Sequence, residues 1–175
     1  MKYTVINELN HFEYHDALLK KNTWNNKHLH WEVSAVNATI ENSQNNFCKD
    51  MCIGNAEIIF EQAHIESIVS DAYQVYDSDN NLVESVKAVT VASEEYNKIL
   101  SKLNEDYCFI MNMDGYQISE NGNYTVCFSI YGSAIHGYCI TISFSKSIIS
   151  WDEFSGDAWY EDPKWISHGD VRPMS

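Results

Sequence analysis

The sequence predicts a mainly β fold of the α+β class, with an antiparallel meander sheet curled as a barrel or paired as a sandwich and one α-helix near 93–104. Apolar and polar residues alternate along most of the chain, which is the period of half-buried strands. The segments between these runs are of hairpin length, and such short connections join antiparallel rather than parallel strands. A single stretch repeats its apolar residues at helical spacing instead.

The clearest alternation runs from His28 to Val36. It places four apolar side chains on one face of the predicted strand: Leu29, Trp31, Val33 and Ala35. A turn-rich segment, 22–26, separates this strand from 16–21, so the two are expected to form the first hairpin. Residues 34–40 prolong the second strand. Residues 41–46 are rich in Asn and Ser, whose side chains compete for backbone hydrogen bonds, and they are predicted to form an exposed loop.

The later segments follow the same pattern around one helix. Residues 56–69 predict a long or bulged strand, and 73–76 with 82–91 predict a hairpin. Ser93 is expected to be the N-cap of the helix, which should end near Asn104. Four residues form its apolar stripe: Tyr96, Ile99, Leu100 and Leu103. Beyond the helix we expect strands at 106–113, around Gln117, at 124–131 and at 136–149, with turns at Asp114-Gly115 and Asn121-Gly122.

The size and charge of the chain limit its class. At 175 residues, 1–175 is expected to be a single domain with an irregular C-terminal tail, of which 166–175 are predicted to be disordered. The chain has 11 basic and 25 acidic residues, a formal net charge of −14, and its only arginine is Arg172. This scarcity of arginine argues against nucleic-acid binding. No apolar run is long enough to span a bilayer, so we expect no membrane partner either.

The five cysteines indicate a reducing compartment. Their number is odd and no secretory signal precedes them, so a cytoplasmic location is expected. Cys108, Cys127 and Cys139 lie in alternating apolar segments and are expected in the core. Cys48 and Cys52 have one residue too many between them for a redox C-x-x-C pair, and they are expected in a loop.

Three histidines are the best candidates for metal ligands. His28 and His30 project from the same face of one predicted strand, and His15 precedes the first hairpin. The alternation of that strand already explains His28 and His30 as solvent-facing residues, so no metal and no cofactor are predicted. The chain also lacks the common catalytic motifs G-x-S-x-G, G-x-G-x-x-G, H-E-x-x-H and the P-loop. An enzymatic activity is therefore not the expected function.

An aromatic segment near the C-terminus is the most distinctive feature of the sequence. Its candidate binding residues are Trp151, Asp152, Phe154, Trp159 and Tyr160. Trp and Tyr are common anchors of protein interfaces, and the acidic residues between them would steer a basic partner towards the segment. The alternative is that these aromatic residues close the hydrophobic core. The sequence leaves both interpretations open.

Two stretches of the chain carry a resemblance to other proteins. They are Tyr14-His15-Asp16-Ala17, at the start of the first hairpin, and the segment 151–160, after a late strand. Both resemble small uncharacterised bacterial β-rich proteins, some of which resemble immunity proteins of polymorphic toxin systems. The resemblance implies a cytoplasmic binder rather than a catalyst. The acidity of the chain agrees with this, because an inhibitor of a basic toxin benefits from complementary charge.

Three functional hypotheses are compatible with these patterns. The first is a non-enzymatic acidic binding module, of the immunity type, that binds a basic protein partner through exposed aromatic residues. The second is a β-barrel that encloses a small ligand in a cavity lined by aromatic residues. The third is a metal-dependent enzyme that uses His15, His28 and His30. The sequence predicts no particular oligomeric state.

Overall fold

The computed structural model describes residues 1–25, 27–105, 107–132 and 137–161. Over these residues the chain is mainly antiparallel β with one α-helix, α1, at Tyr96–Lys102. The predicted fold class is therefore confirmed. The tail predicted to be disordered, 166–175, lies outside the described residues.

Sixteen strands of the described residues form three antiparallel sheets. Their bounds in chain order are β1 Tyr3–Ile6, β2 Phe12–Glu13, β3 Ala17–Trp24, β4 His28–Ser34, β5 Asn37–Ala38, β6 Met51–Cys52, β7 Asn55–Glu61, β8 His64–Ser70, β9 Tyr73–Tyr76, β10 Leu82–Val86, β11 Val89–Thr90, β12 Cys108–Ile118, β13 Tyr124–Gly132, β14 Tyr138–Phe144, β15 Lys146–Trp151 and β16 Gly156–Asp157. Ten strands form one large sheet in the order β1-β15-β7-β4-β3-β12-β13-β14-β8-β11. A small sheet has the order β16-β6-β5-β2, and β9 and β10 form a separate hairpin.

The large sheet is curled by a corner in two neighbouring strands. β7 runs into β8 through Gln62, whose φ is 50°, and β14 runs into β15 through Ser145. The two corners face each other, because the backbone N–H of Ser145 donates to the carbonyl of Glu61 at 3.0 Å. The strands predicted over 56–69 and 136–149 are therefore each divided in two. Since β1 and β11 stand at opposite ends of the strand order, the sheet is curled and is not a closed barrel.

The inner face of the curled sheet is filled by aromatic rings. Trp31, Phe60 and Phe128 are fully buried, and their ring centroids lie 4.8 to 6.0 Å apart. Tyr14 and Phe144 extend this cluster, at 5.6 Å from Phe128 and 5.1 Å from Phe60 respectively. All these pairs are edge-to-face, an arrangement that aromatic rings favour. Side chains therefore occupy this interior.

Helix α1 carries the predicted apolar stripe but begins later than expected. Its Ile99 and Leu100, and Leu103 just after it, are buried, and the helix packs beside β3. Ser93 belongs to a short 3-10 turn that precedes the helix, and its hydroxyl lies near Glu94 and caps no backbone N–H. The predicted N-cap at Ser93 is therefore wrong, because the chain enters the helix through this tighter turn.

Asn22 joins the helix to the sheet. It follows a bulge in β3 and is buried, with its side chain between the helix and the aromatic cluster. Its Nδ2 donates to the carbonyl of Leu100 at 2.8 Å, and its Oδ1 accepts from Nε1 of Trp31 at 2.9 Å. Asn104 forms two further hydrogen bonds with the backbone of Asn22, at 2.6 and 2.8 Å. One buried amide thus ties the end of the helix to the core.

The loop between β5 and β6 is held by its own amide side chains. Nδ2 of Asn45 donates to three carbonyl oxygens at 3.0 to 3.1 Å, those of Ala38, Thr39 and Lys49. Asn42 and Asn45 are both buried. The segment 41–46 is therefore only partly the exposed loop that was predicted, because Asn side chains satisfy backbone groups inside it.

The turn predictions have different outcomes. Asn121-Gly122 does connect β12 to β13, with Gly122 at a φ of 81°. Asp114-Gly115 is not a turn, because Gly115 at a φ of 64° is accommodated as an irregularity within β12. The hairpin of 73–76 with the following strand is confirmed, although Val89–Thr90 leave it and pair with β8.

Only one of the three cysteines expected in the core is buried. Cys108 is buried, whereas Cys127 and Cys139 are partly exposed. The expectation is wrong for these two because Val126 and Phe128 occupy the inner face of β13, and alternation then directs Cys127 outwards. Burial nevertheless raises the pKa of the Cys127 thiol. Of the remaining pair, Cys48 is exposed in the loop, and Cys52 belongs to β6.

Candidate functional site

The first half of the C-terminal aromatic segment belongs to the core. Trp151 is 0% exposed and stacks on Tyr3, with ring centroids 5.4 Å apart. Phe154 is partly buried and packs 5.8 Å from Trp151. Asp152 is exposed, and its carboxylate accepts the backbone N–H of Lys2 at 3.0 Å. These residues hold β1 against the end of β15.

The second half of the segment lies at the surface. Trp159 is 47% exposed and opens the 3-10 turn Trp159–Glu161. The hydroxyl of Tyr160 donates to Oδ2 of Asp50 at 2.8 Å, and the ring of Tyr160 lies 5.3 Å from that of Trp159. The backbone N–H of Ala158 donates to the carbonyl of Asp50 at 3.0 Å. One buried aspartate therefore positions the turn that presents Trp159.

His15 meets Trp159 from the other end of the sequence. The chain turns at Asp16, whose φ of 63° is a conformation that Asp tolerates better than most residues. Nδ1 of His15 donates to the carbonyl of Met111 at 3.0 Å, and the His15 ring lies 6.2 Å from the Trp159 ring. We call this region the His15–Trp159 surface. It comprises His15, Asp16, Asp157, Trp159, Tyr160 and Glu161.

Carboxylates dominate the charge of the His15–Trp159 surface. Asp16, Asp157 and Glu161 contribute three negative charges, and Nε2 of His15 lies 3.6 Å from the carboxylate of Asp16. Lys49 pairs with Asp157 at 2.5 Å, and this hydrogen bond raises the pKa of Lys49. Three carboxylates against one ammonium group leave the surface negative when His15 is neutral.

A groove of about 750 Å³ opens beside His15. Its apolar lining consists of three partly exposed residues, Met111, Met113 and Tyr116, and of Phe12 and Tyr14, whose side chains are buried in the core. Its polar lining consists of Asn10, Glu13, His15 and Asn112. The volume falls within the range of small-molecule sites. We call this cavity the Glu13 groove.

The two tyrosines of the Glu13 groove have their hydroxyls committed to the backbone. Tyr14 donates to the carbonyl of Leu9 at 3.2 Å, and burial raises its pKa well above the ordinary value. Tyr116 donates to the carbonyl of Asn7 at 3.2 Å, and burial raises its pKa to about 12. Both phenols are therefore neutral at physiological pH, and only the partly exposed Tyr116 presents its ring to the groove.

The three candidate metal ligands are not brought together. His28 and His30 lie on the outer face of β4, where Nε2 of His30 is 3.5 Å from Glu57. His15 instead contacts Met111 on β12. In the part of the chain that the structure describes, no group of three or more His, Cys, Asp or Glu side chains could hold a metal ion.

Of the nine residues that line the groove, only His15 was among the sequence candidates. His15 and Met111 are 96 positions apart, so no local sequence pattern predicts their contact. The available signal is the closeness of Glu13 to the Tyr14–Ala17 stretch and the spacing of two methionines along a predicted strand. Neither signal specifies a cavity.

No helix among the described residues is long and apolar enough to cross a bilayer. Comparison of the chain with protein-family models, curated proteins and solved structures finds no match.

Proposed function

We propose that the chain is a non-catalytic binding module that docks a basic protein through the His15–Trp159 surface. The observation that carries the proposal is Trp159, a large side chain that is 47% exposed yet held in place by its neighbours. Trp is the residue type that most often dominates interface energies. A turn already fixed by the Tyr160–Asp50 hydrogen bond loses less conformational entropy on binding.

The charge of the surface favours a basic partner. The His15–Trp159 surface carries three carboxylates, one of them paired with Lys49, and the whole chain has a formal charge of −14. Such a field raises the association rate of a cationic protein and disfavours acidic ones. We therefore propose a partner with a basic contact face.

The immunity-type hypothesis gains support from the position of the two stretches that carry the resemblance. Tyr14–Ala17 and 151–160 are remote in sequence, yet His15 and Trp159 lie in contact. A shared surface is the simplest reason for the two stretches to occur together. We propose accordingly that the partner is a basic toxin-like protein that this chain inhibits in the cytoplasm. The aromatic packing of the described interior gives no support to a ligand-enclosing barrel.

Affinity capture with immobilised protein, followed by titration of the purified partner, tests this proposal. Trp159→Ala should weaken binding about 30-fold, since interface anchors contribute about 2 kcal/mol. Tyr76→Ala is the matched control, because Tyr76 is 50% exposed on the β9–β10 hairpin. The dissociation constant should also rise when salt is increased.

A charge variant distinguishes electrostatic steering of the partner from direct contact with it. Asp16→Asn keeps a residue that tolerates the positive φ at this position while removing one carboxylate. It should slow association severalfold, whereas Asp79→Asn in the β9–β10 turn should not. Affinity that is independent of salt, or equal losses in Trp159→Ala and Tyr76→Ala, would contradict the proposal.

A further inference from the structure

We infer that the Glu13 groove binds an arginine side chain of the basic partner, with Glu13 as the counter-charge and the aromatic and methionine walls around the aliphatic stem. This inference rests on the proposed function and names the group that the partner inserts. It follows from the shape, the lining and the charge of the groove.

The walls of the groove suit an aliphatic stem that ends in a flat cation. Tyr116 supplies a partly exposed aromatic ring, and Met111 and Met113 supply flexible thioethers that are also partly exposed, whereas Phe12 and Tyr14 are buried in the core. Arginine stacks on aromatic faces through its planar guanidinium group and buries its methylene stem on apolar surface. Methionine adapts its shape to such a guest.

The polar lining of the groove favours a cation over a neutral guest. Glu13 is exposed on β2, and no lysine or arginine is among the residues that line the groove. Burial, Tyr116 and the charge of Glu13 all raise the pKa of Tyr14. The Glu13 carboxylate is therefore close enough to Tyr14 to interact with it electrostatically. Asn112, at the rim, donates to the carboxylate of Asp114 at 2.7 Å. A second negative charge therefore lies beside the groove.

The groove also adjoins the surface proposed for docking. His15 lines the groove and contacts Trp159, so a partner seated on Trp159 has a side-chain pocket within reach. A volume of about 750 Å³ accommodates an arginine and part of its main chain. The structure thus offers both an aromatic anchor and a cation pocket to one partner segment.

Titration with small probes tests the inference on the full chain. The probes are N-acetyl-arginine methylamide and its uncharged isostere N-acetyl-citrulline methylamide, followed by NMR of methyl-labelled methionines. The arginine probe should shift the Met111 and Met113 signals and leave Met1 and Met51 unchanged, with a dissociation constant on the order of 1 mM for so small a ligand. The citrulline probe should bind at least about fivefold more weakly, because it lacks the charge.

The variant Glu13→Gln should weaken the arginine probe about fivefold and leave citrulline unaffected. Glu66→Gln, on β8, is the matched control and should change neither. Equal binding of the two probes, shifts confined to other methionines, or an unchanged affinity in Glu13→Gln would overturn the inference.

The outcomes also separate this inference from the proposed function. If a basic protein binds in a Trp159-dependent manner but the arginine probe leaves Met111 and Met113 unchanged, the groove inference fails and the docking surface stands. If the arginine probe binds as expected but no basic protein depends on Trp159, the groove is a cation pocket and the docking proposal fails.

Discussion

Trp151 and Trp159 belong to one aromatic segment of the sequence and have opposite environments. Trp151 is 0% exposed, stacked on Tyr3 and edge-on to Phe12 at 5.8 Å. Trp159 is 47% exposed and contacts His15 and Tyr160. Trp151 ends a strand whose inward residues continue the core, whereas Trp159 opens a 3-10 turn that Asp50 holds in place. The direction in which the backbone points each side chain, and not the density of aromatic residues, decides which tryptophan is buried in the core.

Truncation of the two tryptophans tests this contrast most directly. Trp151→Ala should lower the free energy of unfolding by about 3–5 kcal/mol, because it leaves a cavity among Tyr3, Phe12 and Phe154. Trp159→Ala should lower it by less than about 1 kcal/mol, as surface substitutions do. Urea unfolding of both variants measures the difference. Similar losses in the two variants would remove the distinction between a core and a surface tryptophan.

A second test asks whether the same contrast holds for polar side chains. Asn22→Ala should cost about 1–3 kcal/mol, because Nε1 of Trp31 and the carbonyl of Leu100 both lose a buried partner. Asn97→Ala, at an exposed position of α1, should be neutral or slightly stabilising, since alanine favours helices. Thermal unfolding with matched denaturant curves compares the two. If Asn22→Ala unfolds like Asn97→Ala, the buried amide does not tie the helix to the core.

Tyr116, which lines the Glu13 groove, is neither fully buried like Trp151 nor as exposed as Trp159. The stability of the protein at alkaline pH is the test with the smallest expected effect. The pKa of Tyr116 is raised to about 12 from its ordinary value of 10, and that of Tyr14 is raised as well. Below pH 10 both tyrosines are protonated in the folded and the unfolded chain, so the free energy of unfolding loses nothing to their ionisation. Between pH 10 and 12 the unfolded chain ionises first, and stability is lost. The loss is modest for Tyr116 because that residue is only partly buried.

Denaturant titrations from pH 9 to 12 measure this effect. Tyr116→Phe has no phenol to ionise at this position, so its stability should fall less steeply over the interval than that of the unchanged chain. Val83→Ala is the control, because Val83 is largely exposed and has no titratable group, so the slope should be unchanged. An equally steep fall in Tyr116→Phe would contradict the prediction, because it would mean that folding does not change the ionisation of Tyr116.

Local patterns predicted the elements of this fold better than their ends. The alternation of Leu29, Trp31 and Val33 and the stripe of Ile99 and Leu100 were both confirmed by burial. The corner at Gln62 was not foreseen, because it contains no glycine or proline and is imposed by the facing corner at Ser145. Such a constraint arises from the sheet as a whole, so the sequence of a single segment does not reveal it.

The candidate site was predictable only in parts. Trp159 and His15 were each singled out by residue type, but for different functions, and their contact depends on a turn held by Asp50. Asp50 itself carries no local signal, because its partners Ile40 and Tyr160 are remote in sequence. Long-range hydrogen bonds of this kind decide where a surface forms, and they become visible only when the chain is folded.

The pairing of β1 with β15 has a consequence for synthesis on the ribosome. Val5 lies opposite Ile149, so β1, the first strand to be synthesised, can pair only after β15, one of the last, has been synthesised. Ribosomes add about 5–20 residues per second, so roughly 7–30 seconds pass between the synthesis of Val5 and that of Ile149. Its side chains lack their native β15 neighbours during that time. Cooperative folding therefore follows translation of Trp151, and a ribosome stalled before that codon would hold a nascent chain that cannot complete its core.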